Sequence, residues 1–209
     1  MSNFTTIRPR DGTAAQQVSE WAKRLAQNLV TAGHTQTQDV DDLTPADAPH
    51  VVAATTAATD LVCYFGHGTE TEWTTHGVAT LDAVSATACQ KKAVVSVACK
   101  TGTQLGSDAI TAGAHAWLGL TIKLIVPAPY PYTWTDPFED AYVTGLSVLG
   151  TGATMQNAKD ALVTELDQLA TAYDTGAYSG HPNSAIGYLS AIAQRDHLVL
   201  HGTASHCPL

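Results

Sequence analysis

The sequence DLVCYFGHG at residues 60–68 predicts a buried strand that ends at two glycines flanking His67. A second run of the same form, AVVSVACKTG at residues 93–102, carries Cys99 at its end, and a third run at 114–120 is expected to be its neighbour in a sheet. Strand-like runs alternate with helical patterns along the whole chain. The sequence therefore predicts an α/β fold in which helices flank a mostly parallel central sheet.

Helical patterns fill the intervals between these runs. The clearest pattern places apolar residues at helical spacing from Val18 to Val30, and we expect it to open with a capping box at Thr13–Gln16 and to close at Gly33. Other helices are expected from Thr44-Pro45, around 81–89, near 104–112, from Asp136 and from Met155 to Tyr173. A closing strand is predicted at 197–201, whereas 121–135 fits no regular element.

Composition narrows the class of protein. The chain has 209 residues, of which 44% are hydrophobic and 14% charged, so we expect one globular domain over residues 1–209. A formal net charge of -9 with no long basic stretch argues against nucleic acid as a partner. No apolar run reaches the length of a membrane span, and the first residues do not resemble a signal peptide. We therefore expect a cytoplasmic protein with no membrane partner.

The four cysteines lack the short, regular spacing of a disulfide framework. Cys63 and Cys89 lie inside apolar patterns and are predicted to be core residues, while Cys207 is predicted to be an exposed spectator near the end. No pair of cysteines or histidines has the spacing of metal ligands, so no metal or other cofactor is predicted.

The ends of the first two strands carry the candidate chemistry, because reacting groups in open α/β sheets gather beyond the carboxyl ends of the strands. Cys99 is a candidate nucleophile, but an ordinary thiol is mostly protonated at neutral pH and needs a base. His67 is the predicted base. Gly66 and Gly68 leave room for a substrate backbone, and the N–H groups of Gly68 and Cys99 are predicted to form an oxyanion hole.

These residues resemble those of a known family. The sequence YFGHG at 64–68, followed by VVSVACKTG at 94–102, resembles the caspase-like cysteine peptidases of clan CD and, more narrowly, the CHAT domains. The likeness continues through AGAHAWLG at 112–119 and covers about residues 50–175. It implies a three-layer caspase-hemoglobinase fold, with Cys99 as nucleophile and His67 as general base and acid. It further implies hydrolysis through a thioester, without an obligatory third side chain.

The resemblance also implies a biological setting. Proteins of this kind cleave a protein partner in programmed cell death or antiphage defence, and a separate activating protein is a further expected partner. Two alternatives remain at this point. One is a catalytically silent, caspase-like binding or scaffold module. The other is a glutamine amidotransferase-like hydrolase, although in those enzymes the cysteine precedes the histidine in the chain.

The substrate pocket is less clearly marked. Metacaspases place an acidic residue before the nucleophile to bind basic substrates, but Val97 and Ala98 stand there in this chain, so a basic pocket of that type is not predicted. The candidate pocket residues are Asp108, Tyr132, Trp134 and Asp136. Asp108 could equally be a solvated helix residue, whereas for Asp136 the sequence favours the role of a helix cap over that of a substrate ligand. The aromatic loop from Tyr130 to Trp134 could form a substrate wall, a partner-docking patch or part of the core.

Overall fold

The computed structural model describes residues 2–41, 48–127 and 136–209. The strands are β1 (Asn3–Arg8), β2 (Thr35–Asp41), β3 (Leu61–Phe65), β4 (His67–Gly68), β5 (Glu72–Thr75), β6 (Val78–Asp82), β7 (Ala93–Val97), β8 (Ala116–Leu120) and β9 (Leu198–Gly202). The helices are α1 (Thr13–Thr31), α2 (Ala48–Thr56), α3 (Gln104–Thr111), α4 (Pro137–Ser147), α5 (Met155–Asp174) and α6 (Ser184–Asp196). Short 3₁₀ helices span Ala86–Cys89 and Val148–Thr151.

Six strands form the central sheet in the order β2-β1-β3-β7-β8-β9. The first five run parallel to their neighbours, and β9 pairs antiparallel to β8. Strands β4, β5 and β6 form a separate antiparallel sheet. The predicted mostly parallel sheet, the pairing of the second and third runs and the closing strand are thus confirmed.

Helices cover both faces of the central sheet, because alternate side chains of each strand point to opposite faces. Cys63 and Phe65 of β3 join a core with α1, α4 and α5, whereas Val62 and Tyr64 of the same strand face a second core with α2 and α3. All five residues of β3 are buried, as expected for a strand covered on both sides. The result is the three-layer architecture that the resemblance implied.

Two expectations about local structure are wrong. The stretch 81–89 is not one helix: β6 ends at Asp82, and a 3₁₀ helix follows only at Ala86. The interruption is a turn in which the Asp82 carboxylate accepts a hydrogen bond from the Ser85 N–H at 2.9 Å, while the Asp82 N–H donates to the Ser85 hydroxyl at 2.9 Å. Such side-chain bonds compete with helix formation, and the bonds from Ser85 also lower the pKa of Asp82.

The capping box at Thr13–Gln16 is likewise absent. Gly12 is the N-cap of α1 with a φ of 100°, and no side chain caps the helix there. A positive φ at this position favours glycine, which alone avoids the Cβ clash. The expected start at Thr44-Pro45 lies outside the described residues, and α2 is described from Ala48.

Two later helices begin as the sequence indicates. Asp136 caps α4 through the Phe138 N–H, with Pro137 at the first helical position. Thr154 and Asn157 form a capping box at the start of α5. No helix in the described part of the chain is both long and apolar enough to cross a membrane.

Candidate active site

His67 and Cys99 lie at one edge of the central sheet. Phe65 of β3 pairs with Val97 of β7. His67 comes two residues after Phe65, and Cys99 comes two residues after Val97. Both line an open cleft of about 790 Å³. The described residues that complete the cleft are Asp11, Gly68, Thr69, Glu70, Thr71, Thr74, Gly77, Lys100 and Lys123. The structure therefore brings the predicted imidazole and thiol to the same solvent-open site.

Cys99 sits in a sharp turn between β7 and α3. Its neighbour Lys100 has a φ of 58°, a left-handed conformation that costs energy for a residue with a Cβ and is often found at functional sites. The half-buried Sγ accepts a hydrogen bond from the Leu124 N–H at 3.3 Å. Since the Lys100 N–H also donates to the Ile122 carbonyl at 2.8 Å, the chain after β8 holds Cys99 in place.

Tyr64 of β3 holds the backbone of His67 in place. The buried Tyr64 hydroxyl donates to the His67 carbonyl at 2.7 Å and lies 3.1 Å from the Thr74 carbonyl. Burial raises the pKa of Tyr64 well above its usual value, so the hydroxyl keeps the proton that it donates. The Tyr64 ring stacks on Trp73 with centroids 4.1 Å apart. Tyr64 therefore fixes the short strand β4 to the central sheet.

The same network reaches the cysteine turn. The Trp73 Nε1–H donates to the Ser96 hydroxyl at 2.9 Å, and that hydroxyl lies 2.8 Å from the Thr101 hydroxyl. Ser96 belongs to β7 and Thr101 follows Cys99 by two residues; both side chains are buried. Satisfied polar groups in a core specify one arrangement of the elements they join. This network consequently couples the placement of His67 to that of Cys99.

The backbone of Asp11 fixes the tautomer of His67. The imidazole Nε2 lies 2.9 Å from the Asp11 carbonyl oxygen. A carbonyl oxygen only accepts hydrogen bonds, so Nε2 of the neutral ring carries the proton and Nδ1 carries the lone pair. No hydrogen bond to any described residue occupies Nδ1. Nδ1 is therefore the nitrogen that is available to accept a proton.

Asp11 also brings a carboxylate to the imidazole, which the sequence analysis did not predict. Its Oδ2 lies 3.9 Å from His67 Nε2 and accepts a hydrogen bond from the His76 N–H at 2.6 Å. The side chain is only 7% exposed. His76 and Gly77, with φ of 48° and 74°, form the two-residue turn between β5 and β6. This turn therefore supplies the N–H group that holds the Asp11 carboxylate.

The backbone of Gly68 packs closely against the Cys99 turn. A Cβ on Gly68 would stand 3.1 Å from the Cys99 carbonyl oxygen and 2.5 Å from Thr101 Cγ2. Only glycine allows the backbones at Gly68 and Cys99 to approach so closely. Their role as hydrogen-bond donors to an oxyanion stays a prediction.

Of the four predicted pocket residues, the structure describes two, Asp108 and Asp136. Asp136, 9% exposed, accepts hydrogen bonds from Trp21 Nε1 at 2.9 Å and Gln17 Nε2 at 2.7 Å. Burial raises the pKa of Asp136 despite these bonds. Its role in the structure is thus to cap α4 and join it to α1, the alternative that the sequence left open.

Asp108 lies on α3, where it accepts a hydrogen bond from Gln104 one turn earlier at 2.7 Å. Neither Asp108 nor Asp136 lines the cleft. Tyr132 and Trp134 lie outside the described residues.

Charged groups at the cleft are partly neutralised. Lys100 Nζ lies 3.0 Å from the Glu70 carboxylate, and both side chains are exposed. Within the ranges that the structure describes, no three histidine, cysteine or carboxylate side chains are arranged to hold a metal ion. The geometry therefore offers a thiol, a base of defined tautomer and a neighbouring carboxylate.

Comparison with known proteins places this arrangement in a family. Residues 8–185, which include Asp11, His67 and Cys99, match peptidase family C25. The chain belongs to this family. Family C25 consists of clan CD cysteine peptidases, so the broader resemblance found in the sequence is confirmed. The narrower resemblance to CHAT domains stays a prediction.

Two solved structures share the fold of this C25 chain. One is the complex of Porphyromonas gingivalis RgpB pro- and mature domains, with a TM-score of 0.63 and 15% identity over 98% of this chain and 48% of that chain. The other is the Arg-specific cysteine proteinase gingipain R (RgpB), with a TM-score of 0.58 and 16% identity over 97% of this chain and 46% of that chain. This chain thus spans about half of each structure. No curated protein matches the sequence.

Thiol reactivity should separate the four cysteines of this C25 chain. In the folded protein, iodoacetamide should alkylate Cys99 first and Cys207 more slowly, and it should leave Cys63 and Cys89 unmodified. Both core thiols are buried, and burial raises the pKa of each to about 12, so the reactive thiolate is scarce. Mass spectrometry of timed digests measures the four rates.

The control for this labelling is His67→Ala. Without the base, Cys99 should lose its advantage and react at about the rate of Cys207. Equal rates at Cys99 and Cys207 in the unmodified protein would show that Cys99 is an ordinary thiol.

Proposed function

We propose that this chain is the catalytic domain of a cysteine endopeptidase that cleaves a protein partner through Cys99 and His67. The observation that carries the proposal is the bond from His67 Nε2 to the Asp11 carbonyl, because it leaves a lone pair on Nδ1 in the cleft that Cys99 also lines. Membership of family C25 supports the class of chemistry.

The reaction follows from these groups. The Cys99 thiol transfers its proton to His67 Nδ1 while Sγ attacks the carbonyl carbon of the scissile peptide bond. The negative oxygen of the tetrahedral intermediate faces the N–H groups of Gly68 and Cys99. His67 then passes the proton to the leaving amine, the C–N bond breaks, and a thioester remains on Cys99.

Water completes the cycle. His67 accepts a proton from the attacking water, the C–S bond breaks, and the imidazolium returns the proton to the Cys99 sulfur as the carboxylic acid product leaves. The carboxylate of Asp11, 3.9 Å from Nε2, stabilises the imidazolium that forms in each half of the reaction. The proposed site is therefore a dyad that a third group assists, although the resemblance implied no third side chain that is obligatory.

Incubation of the full chain with a peptide library tests this function. Cut sites read by mass spectrometry should lie inside the peptides, and prior treatment with iodoacetamide should abolish them. Release of terminal residues only would contradict the endopeptidase assignment while keeping a peptidase. Cleavage that survives full alkylation of Cys99 would contradict the cysteine mechanism.

We further propose that the enzyme is cytoplasmic and has a separate activating protein, and that it acts in bacterial defence or programmed cell death, as the resemblance implied. Support for a protein that binds the catalytic domain comes from RgpB, which was solved as a complex of its pro- and mature domains.

A further inference from the structure

A second groove, here called the side groove, adjoins the catalytic cleft. Its volume is about 320 Å³, within the range of sites that bind small ligands. Apolar side chains of the 121–126 segment and of α6 form most of its lining, namely Ile122, Ile125, Ile186, Leu189 and Ala193. Lys123 lines both the side groove and the catalytic cleft, so the two are contiguous. No carboxylate from the described residues lines the side groove.

The apolar lining is unusually open to solvent. The exposed fractions are 51% for Ile125, 52% for Ile186 and 64% for Leu189. Single exposed apolar residues are common in soluble proteins, but several around one concave surface indicate a binding site. Residues 186–196 of α6 also lie beyond the part of the chain that matches family C25, so the family match does not account for this surface.

One wall of the side groove is bonded directly to the nucleophile. The Ile122 carbonyl accepts from the Lys100 N–H at 2.8 Å, and the Leu124 N–H donates to Cys99 Sγ at 3.3 Å. On the other side, the Ile125 carbonyl accepts from Gln194 Nε2 at 2.8 Å.

Gln194 secures this wall to the core. It is 1% exposed, and its Oε1 accepts from the Tyr142 hydroxyl at 2.8 Å. The side groove is therefore formed before any ligand binds, and it keeps a fixed position relative to Cys99.

The side groove lies within reach of a peptide held at Cys99. Leu124 contacts the Cys99 sulfur, and Ile122 and Ile125 are two residues and one residue away from it in the chain. Since successive Cα atoms are about 3.8 Å apart, the Cα atoms of both isoleucines lie within roughly 10 Å of the sulfur. An extended peptide advances about 3.3–3.6 Å per residue. A residue about two to four positions from the scissile bond can consequently place its side chain in the side groove.

We propose that the side groove binds an apolar side chain of the substrate polypeptide and thereby selects where the chain is cut. The ligand is a leucine, isoleucine, methionine or phenylalanine side chain about two to four residues from the cleaved bond. This inference rests on the proposed peptidase function and specifies the substrate of that same site. Apolar contact with Ile125, Ile186 and Leu189 provides the selection.

Cleavage of a peptide library by the full chain, and by its Leu189→Asp and Leu189→Gln variants, tests the proposal. At one position on one side of the bond, the unmodified protein should favour large apolar residues over alanine by about tenfold or more in kcat/KM. Both variants should reduce that preference to less than about threefold, mainly by raising KM. Peptides with alanine at that position should be cleaved at nearly the original rate.

Val84→Asp is the matched control, since Val84 is 87% exposed and lines neither groove. It should leave the preference intact. Thermal melting confirms that each variant is folded, and two different substitutions at Leu189 protect the test against the failure of one. If the unmodified protein cleaves peptides without an apolar preference, or if the Leu189 variants keep it, this inference is overturned and the peptidase function stands. Failure of the unmodified protein to cleave any peptide would overturn both.

Discussion

Replacement of Cys99 by alanine should lower kcat/KM for peptide cleavage by about 10⁶-fold, the loss that follows removal of a nucleophile which acts as a unit with its base. The half-buried Sγ is the only atom lost, and its neighbours are the N–H and carbonyl of Leu124 at 3.3 and 4.0 Å. Neither is a strong partner, so the fold should remain intact. Rates on a peptide cleaved by the unmodified protein give the measurement, and the melting temperature checks the fold.

Cys207→Ala is the control for the loss of a thiol. Cys207 is exposed, and its Sγ lies 3.8 Å from the Ser205 carbonyl, away from the residues that line the cleft. This variant should keep full activity. Residual cleavage by Cys99→Ala above about 1% of the original rate would mean that the thiol is not the nucleophile, since general acid–base effects alone are worth about 10²–10⁴. A Cys99→Ala protein that still binds the peptide would separate binding from chemistry.

Local sequence predicted the centre of the fold but not its edge. The runs at β3, β7 and β8 are mostly apolar and buried throughout, as expected for strands covered on both faces, so they could be recognised without knowledge of their partners. Strand β1 ends at Arg8, which is 4% exposed because Asp39 of β2 binds its guanidinium at 2.7 Å. A buried charge of this kind depends on a residue far away in the chain, and no single-sequence pattern shows the pairing.

The candidate site divides in the same way. His67 and Cys99 were predictable because each follows its own buried strand directly, and adjacent parallel strands end at one edge. Asp11 follows β1 at the same edge, so a β-forming run before an Asp-Gly pair was the available signal. Its contact with the imidazole also requires the turn at His76, whose N–H holds the carboxylate. That bond joins residues 65 positions apart and could not be inferred from spacing.

Asp11→Asn should lower kcat/KM by about 10²-fold, near the lower end of what acid–base assistance contributes. The amide oxygen can still accept from the His76 N–H, and the Asp11 carbonyl can still hold Nε2, so the change removes charge and leaves the ring oriented. Where the carboxylate is the group that fixes the tautomer of the histidine, its loss lowers kcat by about 10⁴-fold. A smaller loss is expected here because the backbone carbonyl supplies that bond and the His67 side chain is 41% exposed, which screens the charge.

The split between kcat and KM separates an electrostatic role for Asp11 from a purely structural one. The carboxylate faces an imidazolium that forms only during the reaction, so Asp11→Asn should lower kcat and leave KM nearly unchanged. Asp11→Glu should restore part of kcat. Asp160→Asn, an exposed change on α5 at a carboxylate that accepts a hydrogen bond from Gln156, should alter neither constant. If Asp11→Asn raises KM while kcat stays at its original value, then the carboxylate acts through the bond to His76 alone and the imidazolium forms without its help.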